Sequence, residues 1–317
     1  MGTFDNLLDA FLKLTDPRPA FTRDRCLLEK SSVGGCDRCQ AVCPHGAVSA
    51  DSFVIEISDT RCTSCGLCTE VCPGVALEFP LGPVQEALHR GKGRIRCSQA
   101  PGSGDEVRCL AQLTAGVLAE AGSRLGPLAL VHGDCASCKI GGAAVPGQVM
   151  MAVEEGKRYF PGLEAAFSQT PAQGTAVGRR DFFEALLGGA KRAAAEVVPE
   201  LPIPLEDEAP TLPAELRLRA LAAKRAPAEG VRWPKIQIAE GCTLCPVCTN
   251  VCPTKAVERV RQGEEYTVQL NVSACTGCGA CVSSCPPQVI RLEEATKAEV
   301  FGEPIELYRG TPPWYDL

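Results

Sequence analysis

The sequence predicts an α+β protein: two copies of a small cysteine-rich unit flank a small α/β segment and a helical, Pro-rich linker. Three observations carry this. Sixteen of the 20 cysteines fall into four runs of one form, two runs near each end of the chain. Between the runs of each pair lies a short stretch with strand character, SFVIEI (52–57) and YTVQLNV (266–272). In the second, Val268, Leu270 and Val272 alternate with polar residues, the period of a hairpin strand. The middle reads as strand (GRIRCS), strand (DEVRCL), helix over 112–121 and strand (PLALVHGDC), with Leu110, Leu113, Val117 and Leu118 on one face of the helix.

Composition limits the function classes. A length of 317 residues suits two or three domains, and 45% hydrophobic residues excludes disorder throughout. A net charge of −6 with 32 Lys and Arg opposes general nucleic-acid binding. The first residues, MGTFDNLLDAFLKLTD, lack the basic start of a secretory signal, and acidic residues interrupt their apolar positions. No apolar run approaches the ~18 residues of a membrane span. A cytoplasmic location, where thiols stay reduced, is therefore expected. Twenty reduced cysteines then point to metal.

The C-terminal runs are Cys242-x2-Cys245-x2-Cys248-x3-Cys252-Pro253 and Cys275-x2-Cys278-x2-Cys281-x3-Cys285-Pro286. Near the N-terminus stand Cys62-x2-Cys65-x2-Cys68-x3-Cys72-Pro73 and, with a longer first gap, Cys26-x9-Cys36-x2-Cys39-x3-Cys43-Pro44. Three closely spaced thiolates reach three corners of a [4Fe–4S] cube, while a fourth, three residues on, points away. A structural zinc site uses two CxxC pairs and has no use for the third cysteine or the trailing x3-Cys-Pro.

These runs resemble those of the bacterial-type two-cluster [4Fe–4S] ferredoxins, tandem here as in a polyferredoxin. The resemblance covers 26–72 and 242–285; the x9 gap departs from it. It implies a (βαβ)2 fold for each unit and one-electron transfer between adjacent cubes. It also implies crossed ligation. The sets are Cys26, Cys36, Cys39 and Cys72 (set 1); Cys62, Cys65, Cys68 and Cys43 (set 2); Cys242, Cys245, Cys248 and Cys285 (set 4); and Cys275, Cys278, Cys281 and Cys252 (set 5). Gly66, Gly277 and Gly279 let backbone amides approach sulfur. Pro246 removes one such amide, which would make its cluster harder to reduce.

Four cysteines remain: Cys97, Cys109, Cys135 and Cys138 (set 3), with gaps of x11, x25 and x2. They stand at strand ends, where α/β crevices take ligands. Their wide–wide–narrow order resembles the thioredoxin-like [2Fe–2S] ferredoxins, whose last gap is x3. The segment also resembles the small iron–sulfur subunits of hydrogenase and heterodisulfide-reductase complexes. A fifth iron–sulfur cluster is expected here, [4Fe–4S] or [2Fe–2S]. Zinc, or a redox dithiol of Cys135 and Cys138, is the alternative. His132, His45 and His89 are not counted as ligands, although His132 and Asp134 stand close to Cys135.

The domains expected are a docking helix (1–20) with Phe4, Leu7, Leu8, Phe11 and Leu12 on one face, a two-cluster module (21–90), the middle domain (91–148), a linker (149–231), a second module (232–300) and an extended tail (301–317). In the linker, 181–198 carries a helical stripe opened by Asp181, PELPIPLEDEAP is extended, and 212–225 reads as a second helix. Trp314 and Tyr315 suggest that the tail lies on another protein. Arg179-Arg180 mimics a twin-arginine signal in mid-chain, without the apolar stretch that follows a real one.

No P-loop, dinucleotide fingerprint, nucleophile elbow or metalloprotease motif is present. The expected role is therefore a non-catalytic electron-transfer subunit of an oxidoreductase, suited to anaerobic metabolism. Its catalytic partner would be a molybdenum or tungsten enzyme, a hydrogenase or a heterodisulfide-reductase type. A free carrier, or a redox enzyme working through the middle cysteines, is the alternative. Five clusters at about −2 each would bring the charge to roughly −16, which suits basic patches on redox partners and no anionic surface.

Overall fold

The computed structural model describes residues 18–31, 35–169 and 212–313. The expected docking helix, the stripe at 181–198, the Arg179-Arg180 pair and Trp314 and Tyr315 lie outside these. In the N-terminal module, β1 (Ala20–Phe21) pairs antiparallel with β4 (Leu77–Glu78). Between them run α1 (Leu27–Ser31), α2 (Arg38–Val42), a hairpin of β2 (Val48–Asp51) and β3 (Val54–Ile57), and α3 (Leu67–Glu70). Ser52 and Phe53 turn the hairpin with φ of 52° and 63°, the left-handed pair that a two-residue loop needs to match strand twist. Val48 and Ile55 put their side chains into the core beside Cys26 and Cys39.

A helix not signalled by the cysteine pattern follows. α4 (Leu81–Arg90) buries Val84, Ala87 and Leu88 against the middle domain. That domain is a parallel sheet of order β6-β5-β7-β8, built from β5 (Arg94–Cys97), β6 (Glu106–Val107), β7 (Leu128–His132) and β8 (Ala165–Gln169). Helix α5 (Ala115–Leu125) leads into β7, and α6 (Val145–Tyr159) leads into β8. Two corrections follow. The helix expected over 112–121 starts at Ala115, because Thr114 is the N-cap and accepts from the Val117 amide; residues 110–112 form a 3-10 turn instead. The sheet also runs past residue 148, since α6 and β8 occupy a stretch read as linker. That stretch has no cysteine to mark it as part of the middle domain.

The helix expected over 212–225 forms as α7 (Ala214–Arg225) and packs on α5. The C-terminal module repeats the N-terminal plan. β9 (Trp233–Ile238) pairs antiparallel with β12 (Ile290–Ala295) around α8 (Val247–Val251), the hairpin β10 (Val257–Gln262) and β11 (Glu265–Leu270), and α9 (Ala280–Ser284). After α10 (Lys297–Val300), held by a Thr296–Glu299 capping box, β13 (Ile305–Gly310) adds antiparallel to β11. That part of the expected extended tail is therefore a strand of its own module. One core joins Ala115, Ala119 and Tyr159 of the middle domain to Trp233, Leu270 and Ile290 of the C-terminal module. Among the described residues no helix is long and apolar enough to cross a membrane.

Candidate iron–sulfur sites

The twenty cysteines are all free thiols, and the fold gathers them as five groups of four. In set 1, Cys39 sits against Cys72, Cys36 and Cys26; its own burial, followed by those three thiols, pushes its pKa up to about 12. The x9 gap thus leaves Cys26 in place, because its extra residues are taken up largely by α1. In set 2, Cys68 is buried beside Cys65, Cys62 and Cys43, and its thiol is pushed up, chiefly by burial. In set 4, burial and then Cys242, Cys245 and Cys285 raise Cys248 to about 11. In set 5, Cys281 is raised by burial first and then by Cys278, Cys275 and Cys252. The trailing cysteine of each run thus crosses to the partner run.

Local geometry aims amides at these sulfurs. The Cys-Pro turn that closes a run brings the amide four residues on to the thiol: Ala47 N to Cys43 Sγ at 3.3 Å, Ala76 N to Cys72 Sγ at 3.2 Å and Ala256 N to Cys252 Sγ at 3.2 Å. Within the CxxC loops, Gly66 and Gly279 hold φ of 93° and 76°, a conformation that admits glycine with little strain. The following amides, Leu67 and Ala280, donate to Cys65 and Cys278. Pro246, at the matching place, has φ of −80° and caps α8.

Set 3 lies at the carboxyl ends of the parallel strands. Cys97 ends β5, and Cys97, Cys109, Cys135, Cys138 and His132 line one small hollow. Burial is the first cause that raises Cys109 to about 12 and Cys135 to about 11, with Cys97 and Cys138 adding to both. Gly133 N donates to Cys97 Sγ at 3.5 Å and Ile140 N to Cys138 Sγ at 3.4 Å. His132, not counted as a ligand from the sequence, is buried here. Its Nδ1 donates to the Gly133 carbonyl at 2.7 Å and lies 3.5 Å from Cys135 Sγ, and its ring stacks on Phe167 at 4.3 Å. The spacing His132-x2-Cys135 could have flagged it. The bond to Gly133 fixes a proton on Nδ1, since a carbonyl only accepts.

The donor chemistry fits iron–sulfur clusters. Each set is four soft sulfur ligands, buried or half-buried. Packing so many thiolates together in low dielectric is unfavourable until a cationic core joins them. Among the described residues no three His, Cys, Asp or Glu side chains sit at single-ion spacing.

A family model described as a 4Fe-4S dicluster domain matches residues 235–286, and another of the same description matches 34–77. The chain carries two 4Fe–4S dicluster modules. Three known proteins match short stretches of the chain. One subunit of an ion-translocating oxidoreductase complex from Methanosarcina acetivorans is 43% identical over 45 residues, 14% of this chain and 17% of that protein. The electron transport protein HydN of Escherichia coli is 39% identical over 46 residues, 14% of this chain and 26% of its own. Pyruvate synthase subunit PorD of Methanothermobacter marburgensis is 31% identical over 62 residues, 20% of this chain and 64% of its own. The chain thus spans less than two thirds of each of these relatives. No solved structure matches it. The two matches span the cysteines of sets 2, 4 and 5 and those of set 1 except Cys26; neither reaches set 3.

Proposed function

We propose that this chain is an electron-transfer subunit that serves a catalytic oxidoreductase partner, with four [4Fe–4S] clusters in sets 1, 2, 4 and 5 and a fifth iron–sulfur cluster in set 3. The observation that carries the reading is that all twenty cysteines fall into five groups of four. A bound [4Fe–4S] cube takes up or gives back one electron without making or breaking a bond to substrate. The chain's own residues hold the thiolates in place, donate amides to them and exclude water from much of their surface. Such amides favour the reduced, more negative state, so the pattern of N–H···S bonds tunes each site.

His132 fits a supporting role at set 3, orienting the loop at Cys135 through Gly133. The names of the relatives, a complex subunit and a synthase subunit among them, support a partner that does the chemistry on substrate. A molybdenum or tungsten enzyme, a hydrogenase or a heterodisulfide-reductase type fits that description. Reduced thiols suit a cytoplasmic location.

Anaerobic purification under native conditions tests the partner: a catalytic chain should co-elute with this one at fixed ratio. Recovery of the chain alone, fully loaded with iron and active as a diffusible carrier, would contradict it. Cys135→Ser should slow transfer to every acceptor alike; loss of a single reaction outright would make set 3 an active site.

A further inference from the structure

We propose that the five cysteine sets form one unbranched row whose order in space is set 3, set 2, set 1, set 5, set 4, so that the middle domain is an end of the row and not a bridge between the modules. This rests on the cluster reading above. Chain order would have put set 3 in the centre; four junctions in the fold put it at the edge.

Set 3 joins set 2 at Gly141. A Cβ there would lie 2.9 Å from Cys109 Sγ and 3.6 Å from Cys65 Cβ, so the two sets are separated by little more than a glycine backbone. The contact is fastened by Arg108 Nε to the Thr63 carbonyl at 3.1 Å, Gln112 Nε2 to the Ser64 carbonyl at 2.8 Å and Thr63 Oγ1 to the Ile140 carbonyl at 2.7 Å. Sets 2 and 1 share the N-terminal module, where α2 packs on α3 and Cys68 lies within electrostatic reach of Cys39.

Set 1 meets set 5 across the module boundary. Helix α1, which fills the unusual x9 gap, packs on α8 of the other module, and Leu27 joins that module's core. Lys30 Nζ donates to the Cys252 carbonyl at 2.7 Å. Cys72 and Cys278 line one cleft between the modules, and Cys36 and Cys278 line a second. Sets 5 and 4 share the C-terminal module, where α8 packs on α9 and Cys281 lies near Cys248.

The departure from the ferredoxin spacing is therefore what builds the central joint. Both ends of the row carry exposed loops. At set 3 the loop residues Asp134, Ala136, Ser137 and Lys139 are exposed or half-buried, and at set 4 Gly241, Pro246 and Asn250 are exposed. A single electron from a low-potential one-electron donor at one end would leave to an acceptor at the other, with no bond formed or broken.

Spin coupling in the holoprotein tests the order. The full chain, loaded with iron anaerobically and reduced with dithionite, is examined by EPR for broadening and power saturation. The set 3 signal is identified by its loss in Cys135→Ser. Cys62→Ser removes set 2 and should leave the set 3 signal narrow and easily saturated. Cys278→Ser and Cys242→Ser, which remove sets 5 and 4, should leave it as in the parent protein, while Cys278→Ser relaxes the set 1 signal. A set 3 signal altered by loss of set 5 or set 4 overturns the row, and so does one unaltered by loss of set 2. If Cys62→Ser loses more iron than one set holds, the other two variants still decide. Parent protein without iron in these sets overturns the cluster reading and the row with it; iron present with the wrong coupling overturns the row alone.

Discussion

The trailing cysteine of each run does two things at once. It crosses to the neighbouring set, and in three of the four runs the Cys-Pro turn after it folds an amide onto its sulfur, as at Cys43, Cys72 and Cys252. This spacing was readable because it is local: x3-Cys-Pro fixes a turn whatever surrounds it. Set 3 was readable only as a remainder of four, since its members come from separate strand ends and a loop. The burial of His132 was not readable at all, because it depends on Phe167 in β8, thirty-five residues on. Two predictions belong at this scale. Cys109→Ser should lose one cluster's iron, about four atoms for a cube or about two for a [2Fe–2S] centre, and leave the other four sets loaded; anaerobic iron and sulfide analysis reads this. In the matching loops the donors are Leu67 and Ala280, one residue beyond the place of Pro246. Pro246→Ala should therefore leave the reduction potential of set 4 unchanged in a redox titration, and a raised potential would mean that the added amide reaches a sulfur. An unchanged potential would mean that the proline acts only as the cap of α8.

At the level of elements, α7 is the least expected structural member. Its sequence, AELRLRALAAKR, looks like a solvated strap, yet Leu216, Ala222 and Ala223 are fully buried, and Glu215 and Arg219 are buried with them. The charges are tolerated because they are satisfied. Glu215 Oε1 accepts from Arg219 Nε and from the Gly116 amide, both at 2.7 Å, and the other oxygen accepts from Thr114. Arg219 also donates to Tyr159 Oη at 2.9 Å. Glu70 adds a second carboxylate at the N-terminus of α5, accepting from Ala115 N at 3.0 Å; burial, and then Glu215, lift its pKa to about 8. The Glu215 carboxylate there complements the helix dipole. Glu215→Ala strands a buried guanidinium and should cost about 3–5 kcal/mol in denaturant unfolding of the holoprotein. A cost under about 1 kcal/mol would mean that water reaches Arg219 freely. Trp233, fully buried against Tyr159 and bonded through Nε1 to the Cys275 carbonyl at 3.2 Å, should cost about 3–5 kcal/mol when cut to alanine. That loss should fall first on the C-terminal module, seen as early release of its iron during thermal denaturation.

For the whole molecule, the α+β class and the two-module plan were plain from the repeated runs, because four copies of one spacing leave little else to build. The assembly of the parts was not. Whether the modules touch is decided by Leu27 and Lys30, two residues inside an insertion with no periodicity to read, and by a helix whose burial rests on a charge network from three segments. The middle domain's true extent was hidden because α6 and β8 hold no cysteine. Its parallel sheet is nonetheless what brings Cys97 and Cys135 to the same strand ends. The account as a whole depends on what the twenty thiols hold, and anaerobic iron and sulfide analysis with EPR of the reduced chain measures that directly. About 20 iron atoms per chain, or about 18 with a two-iron middle centre, is the predicted result. Colourless protein, or zinc at full occupancy in place of iron, would contradict it.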